Sequence, residues 1–487
     1  MDYRQAVSAV QHRLWPRATA EIETGAIPDR DFRKILIGLM VPMGMTVLNL
    51  SMFGVALPAI RDSFMAEADT VAWLVTAYTL PFVMFMPLYG RLGDGLGKRR
   101  LFSIGIILFF IGTTLCLVAS TLGHLILGRV MQGIGTAGVN PLCIAMISEL
   151  FPDKARGRAL ATWSSTGPAT GMIAPFMGGF LVDTFGWQSM FWTGVLASVV
   201  ALWVVCGYVP KIVPRSSPGF LRHFDWIGMA LLSGAIVMLV AYLSSRSLTG
   251  VEPLQDWRLA LATVVFALGF WQWERRHTYP LIPLDLFAIP NFSRASLAAG
   301  LRMILMSSEG FLIPLYLADT YGISGTQIGL FITLQAGALL INVRFGGRLA
   351  DRWSRRWPVV IGFAAQALIM VYLANLSPSV PLWGPALGIM AHGGAAGLSL
   401  AVLHRLAMDN VPVNRSGAAA GLYSMVRFFG SVIGATLGGV VLTEALDYYA
   451  HPIDAYHVAF WCWAVVGVLA VLTIWPVREL KAKNLTA

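Results

Sequence analysis

Charge is what this 487-residue sequence has least of: Asp, Glu, Lys and Arg make up 12% of it, against 56% apolar residues. Its mean hydropathy is +0.68. A soluble domain carries roughly twice that charged share, so a water-facing globular surface is excluded. A secretory leader would explain one apolar run, not a succession of them. Cysteine is sparse too: Cys116, Cys143, Cys206 and Cys462 each fall inside an apolar run with no metal-ligand spacing. That excludes a disulfide scaffold or a zinc module and leaves small core residues. There is no H-E-x-x-H, C-x-x-C or P-loop, and no nucleophile–base pair, so an enzyme is not expected. Gly133, Gly135 and Gly138 match G-x-G-x-x-G by letter. A dinucleotide site needs a strand before the first glycine; here the glycines lie inside an apolar run, so no cofactor is expected.

What is present is a series of runs long enough to cross a bilayer as helices. They fall at 34–57, 70–90, 101–120, 123–147, 159–182, 187–209, 225–245, 257–273, 294–318, 325–345, 358–376, 381–404, 416–443 and 455–477. The Lys and Arg residues set the orientation. Of 35, only Arg61, Arg246 and Arg258 fall on the side opposite the N-terminus, and Arg129, Arg302 and Arg427 lie within runs. The rest share one side, which predicts cytoplasmic termini and fourteen spans. The net charge of +10 is then membrane electrostatics rather than a nucleic-acid footprint.

The chain repeats itself. GRLGDGLGKRR (90–100) follows the second run and GRLADRWSRR (347–356) the tenth. The division this implies is a segment at 1–33 with helical apolar spacing, a six-helix bundle at 34–210, a two-helix insert at 211–293, a second six-helix bundle at 294–477 and a tail at 478–487. Parallel repeats of this kind are a transporter architecture with a binding site at midplane between the halves. In the repeated turn, Gly90 and Gly97 let two helices double back, while Asp94, Lys98 and Arg99 supply an acid among bases. Asp351 and Arg352 echo it. Both turns read as inner gates.

These motifs carry a resemblance. GRLGDGLGKRR resembles the loop between helices two and three of the major facilitator superfamily, and LGRVMQGIGTAG (127–138) its fourth-helix motif, with Arg129 in the arginine position. GMIAPFMGG (171–179) resembles the fifth-helix motif of antiporters, with Gly171, Pro175, Gly178 and Gly179 in place and Ala174 where glycine is usual. LNLSMFGVALPAI (48–60), PLIPLDLF (280–287) and VRFFGSVIGA (426–435) resemble the fourteen-helix drug/proton antiporter branch. The likeness spans nearly all of 34–477. Two departures stand out: Asn49 where the branch usually has aspartate, and Gln188 where it usually has arginine. Asn49 cannot titrate.

Asn49 and Arg129 lie at matching depth in the first and fourth spans, within reach of a hydrogen bond. An intramembrane ion is a functional candidate by default. Glu309, near the middle of the ninth span, lies as deep as Asn49 does in its repeat counterpart, so the acid missing from one half stands in the other. Glu309 is the expected proton carrier. A static partner such as Arg302, about 10 Å along the same helix face, is the alternative. Asn49, Arg129, Arg302 and Glu309 are expected to shape the substrate cavity.

The fold expected is an all-α membrane protein of two six-helix bundles with a two-helix insert. The resemblance implies a multidrug-efflux exporter in a bacterial inner membrane, working by alternating access with protons as partners. A lipid-like, neutral or anionic substrate with weak coupling is the alternative. A monomer is expected; the branch also allows a periplasmic adaptor, for which no residue argues.

Overall fold

The computed structural model describes residues 29–211, 225–277, 282, 284–409, 411–412 and 415–477. Most of the 1–33 segment and the 478–487 tail therefore lie outside the described residues. The N-terminal bundle comprises α1 (Asp29–Phe64), α2 (Ala68–Leu96), α3 (Lys98–Leu117), α4 (Leu122–Thr136), α5 (Val139–Leu150), α6 (Asp153–Phe185) and α7 (Ser189–Tyr208). The insert holds α8 (Trp226–Leu243), a short α9 (Ser245–Thr249) and α10 (Trp257–Glu274). After a 3-10 turn at Leu284–Ala288 comes the C-terminal bundle: α11 (Pro290–Tyr321), α12 (Gly325–Arg352), α13 (Arg356–Ala374), α14 (Trp383–Met408), α15 (Ser416–Tyr448) and α16 (Pro452–Ile474).

Twelve spans are long and apolar enough to cross a membrane on length and composition alone. α6 and α10 complete the fourteen; they are less apolar than the rest because α6 carries Ser164, Ser165, Thr166, Thr170 and several glycines and α10 carries Arg258 and Glu274. The fourth span, expected as one helix, is α4 and α5 in series. Pro141 lacks the N–H for the ladder and its ring crowds the carbonyl four residues back, so the helix breaks just before it, at Ala137–Gly138. The α2–α3 turn is a single residue, Gly97, at φ 88°, a left-handed conformation that favours glycine.

We call the end of the bundle holding Gly97 and Asp351 the Lys98 face, and the opposite end the Arg61 face. Toward the Arg61 face the core is continuous across both bundles: Phe53, Leu57 and Phe191 join Leu312, Tyr316 and Phe460. Toward the Lys98 face it divides into two. One cluster centres on Phe102, Phe109 and Met146, the other on Phe292, Phe363 and Leu403. Of the C-terminal bundle only α15 reaches the first cluster, through Val432 and Phe428. The two bundles therefore grip each other at the Arg61 face and part toward the Lys98 face. The insert helices α8 and α10 pack on each other, and α8 also touches α2 and α15.

Candidate functional site

Arg129 is fully buried on α4. Its Nη1 donates to Asn49 Oδ1 on α1 at 2.9 Å and to Gln132 Oε1 at 2.8 Å, and its Nε donates to the Leu74 carbonyl at 3.2 Å. Gln132 in turn donates to Thr113 on α3 at 2.9 Å. The guanidinium lies between two rings, 3.9 Å from the Phe53 centroid and 4.4 Å from that of Tyr78. Cation–π contacts in a dry site help to offset the missing counter-charge. Arg129 Nη2 has no partner.

The second half builds a matching cluster on the counterpart helices. Glu309 on α11 is 2% exposed and His392 on α14 is 0% exposed. The carboxylate Oε2 lies 2.5 Å from His392 Nδ1, and Gln335 on α12 donates to the same oxygen at 2.7 Å. The other ring nitrogen, His392 Nε2, lies 3.0 Å from Gln366 Nε2 on α13. So the first half carries a buried cation among amides and hydroxyls, and the second a buried acid against an imidazole. Glu309 does not pair with Arg302, whose guanidinium turns to the Ala396 carbonyl at 3.4 Å.

Between the halves lies a cavity of about 220 Å³. α1 lines it with Leu50, Phe53 and Leu57, and α2 with Val75 and Thr79; across from them are Met303, Met306 and Phe311 of α11 and Ser431 of α15. Its lining holds no charged side chain, and Asn49, Arg129, Arg302 and Glu309 all stand behind it rather than in it. Phe53 connects the two zones, with its ring over Arg129 and its side chain on the cavity wall.

The two faces are held differently. At the Arg61 face the bundles are tied together: Arg61 makes a two-pronged pair with Asp319 at 2.7 Å on each arm, and Tyr456 donates to the same acid at 2.5 Å. Asp183 of α6 accepts from the Gly325 and Thr326 amides at the start of α12, at 2.8 and 2.7 Å. The antiporter-type motif on α6 lies at this contact. A methyl group on Gly179 would sit 2.0 Å from the Gly325 carbonyl oxygen, and one on Gly329 would sit 2.3 Å from that of Pro175. Gly178 backs onto Met52, Ala174 is buried, and Gly171 lies nearer the Lys98 face beside Val47.

At the Lys98 face the contacts seen among the described residues join helices of the same bundle. Lys98 donates to Glu149 at 2.8 Å, Arg99 to the Cys206 carbonyl at 2.5 Å, and Arg405 to Asp351 at 2.6 Å. Gly90 sits on α2 against Pro141. Asp94 is in the last turns of α2, with its side chain outside the described residues; Arg352 is exposed at the end of α12. Gln188 is exposed at the start of α7, and nothing in the structure explains its departure from arginine.

Sequence reasoning passed over Gln335, Glu149, Asp183 and Asp319, and it takes His392, alone in the twelfth span, for a packing residue. A signal for His392 was present: it lies about 14 Å from the Arg61 end of α14 and Glu309 about 18 Å from that end of α11, so their depths correspond.

A multi-pass helical membrane transporter is the class of protein that this fold and paired site define. The family model of the Major Facilitator Superfamily matches residues 39–307 and 295–487, and the chain belongs to that superfamily. It is 30% identical over 426 residues to Multidrug resistance protein Stp of Mycobacterium tuberculosis, covering 86% of this chain and 77% of that one. It is 26% identical over 416 residues to Multidrug resistance protein 3 of Bacillus subtilis, covering 84% and 79%. Among solved structures, a bacterial homolog of the human lysosomal transporter Spinster, in an inward-facing and unoccupied conformation, superposes with a TM-score of 0.63. At 17% identity, over 93% of this chain and 97% of that one, that likeness concerns the fold alone.

Proposed function

We propose that the chain is a secondary-active exporter of hydrophobic or amphiphilic small molecules that exchanges them for protons by alternating access. The Lys98 face, rich in Lys and Arg, is the cytoplasmic one in a bacterial inner membrane. The closed Arg61 face then makes this the inward-facing state, and rocking of one bundle against the other exposes the cavity to the other side. The names of the two multidrug resistance relatives support the efflux reading.

The observation that carries proton exchange is the Glu309–His392 contact. It sets a buried carboxyl, the only kind of group here that can gain and lose a negative charge, 2.5 Å from a buried imidazole that can take up a proton in its turn. The neutral pair suits a dry span, whereas its deprotonated form leaves a bare negative charge among helices. Losing that proton therefore costs differently in the two states of the carrier, which is the differential energy a coupled cycle needs.

The test is transport in proteoliposomes with an imposed pH gradient, read with a fluorescent amphiphile such as N-phenylnaphthylamine. Gradient-driven movement by the wild type that Glu309→Gln abolishes supports the proposal. A second reading, weakly coupled or uncoupled transport of a lipid-like, neutral or anionic substrate, draws on Asn49 and the uncharged cavity lining. Movement indifferent to the gradient and to Glu309→Gln would favour it.

A further inference from the structure

Three arginines lie inside the spans, and they are not alike. Arg129 is the best supplied: three acceptors and two aromatic faces surround it, and Nη2 alone has no partner. Arg302 on α11 is 4% exposed, yet its Nε has no partner, its Nη2 reaches the Ala396 carbonyl only at 3.4 Å, and its Nη1 meets the Met303 sulfur at 3.9 Å. Arg427 on α15 is half-buried, and its Nε is likewise buried without a partner. Its guanidinium rests 4.7 Å from the Phe428 ring. α11 and α15 pack tightly beside both arginines: a methyl group on Gly430 would sit 2.2 Å from the Gly300 carbonyl oxygen, and one on Gly300 3.4 Å from Val426, the neighbour of Arg427. Among the described residues no carboxylate pairs with either arginine.

Two guanidinium groups left without a counter-anion inside a bundle are expensive, and the cost falls when an anion joins them. Each offers a planar fork of N–H donors shaped for a carboxylate, sulfonate or phosphate. Their position says what else such a ligand carries. Met303 and Met306 follow Arg302 on α11, Ser431 is one turn beyond Arg427 on α15, and all three line the apolar cavity. The arginines thus lie about one turn from the cavity, toward the Lys98 face. We propose that Arg302 and Arg427 form an anion site at the cytoplasmic side of the cavity, and that the transported molecule is an amphiphilic anion. Its apolar body fills the cavity and its acidic group rests on the two guanidinium groups. The proposal rests on the transporter reading above and names the charge of its substrate.

The test compares N-phenylnaphthylamine with its sulfonate, which share an apolar body and differ in one anionic group, titrated against the full chain in phosphatidylcholine nanodiscs. Arg302→Gln and Arg427→Gln should each weaken sulfonate binding about tenfold, the size of one charge-assisted contact, and leave the neutral probe within about twofold. Lysine at either position should restore much of the loss. Should a glutamine variant fail to fold, competition on the wild type decides: decanoate displaces the sulfonate and decyltrimethylammonium does not. Repeating the titration in nanodiscs with phosphatidylglycerol identifies the natural occupant. Loss of sulfonate affinity there points to a lipid headgroup, and unchanged affinity to a soluble anion; both agree with the site. Equal losses for the two probes in the glutamine variants, or displacement by the cation as readily as by decanoate, would overturn it. If neither probe binds the wild type, the cavity reading beneath it fails as well.

Discussion

Arg129 donates to Asn49 across 2.9 Å, a guanidinium facing an amide where the branch this chain resembles usually has a carboxylate. The amide supplies an acceptor without a charge, and the two flanking rings do part of what a counter-ion would do. Asn49→Ala removes the acceptor and leaves a buried N–H unmet, at a cost of about 1–3 kcal/mol. Asn49→Asp restores a charge partner and should raise the thermal midpoint of the purified protein above that of wild type. Thermal unfolding in detergent should give the order Asp above Asn above Ala; Ala at or above Asn would show that the contact contributes nothing.

The Arg61 face is closed by two kinds of contact, and they should fail by different amounts. The Arg61–Asp319 pair is partly exposed, with side chains 21% and 22% accessible, so Asp319→Asn should shift the conformational balance by only about 0.2–1 kcal/mol. Gly179→Val sets a side chain against the Gly325 carbonyl, which is backbone and cannot swing aside, so overpacking of about 1–3 kcal/mol is expected. Spin labels at Arg158 and Arg348, exposed on α6 and α12 toward the Lys98 face, would report the result. Both substitutions should bring the labels closer, Gly179→Val more so.

Outside the spans, Arg415 holds the Asp285 carboxyl below the usual carboxylate range through a side-chain contact, tying the 3-10 turn before α11 to the start of α15. A depressed carboxylate contributes its stability above its unfolded value and loses it as pH falls through the lowered folded one. Hydrogen-exchange protection at Leu284–Ala288 should therefore stay level from neutral pH downward and drop only below about pH 4. In Asp285→Asn the acid-dependent drop should vanish.

Much of this was legible in the sequence, because the bilayer leaves so few solutions. Apolar runs, the one-sided arginines and the twin GRLGD and GRLAD turns already imply two bundles and an insert, and depth arithmetic alone places Asn49 beside Arg129. What stayed hidden is which partner a side chain meets on the neighbouring helix. Arg302 and Glu309 share a face of α11 and both reach α14, yet the arginine meets the Ala396 carbonyl while the acid, two turns on, meets His392 of α14 and Gln335 of α12. The break before Pro141 was likewise hidden, since the run of hydropathy through it is unbroken.

The central claim is that Glu309, against His392, carries the proton. It is tested most directly by measuring protons released into weakly buffered solution when the purified protein binds a probe, for wild type, Glu309→Gln and His392→Gln, with binding confirmed in each. The account predicts release by the wild type, none by Glu309→Gln and a shifted pH profile for His392→Gln, since the imidazole shares the proton but does not replace the acid. Undiminished release from Glu309→Gln with binding intact would place the proton site elsewhere and contradict it.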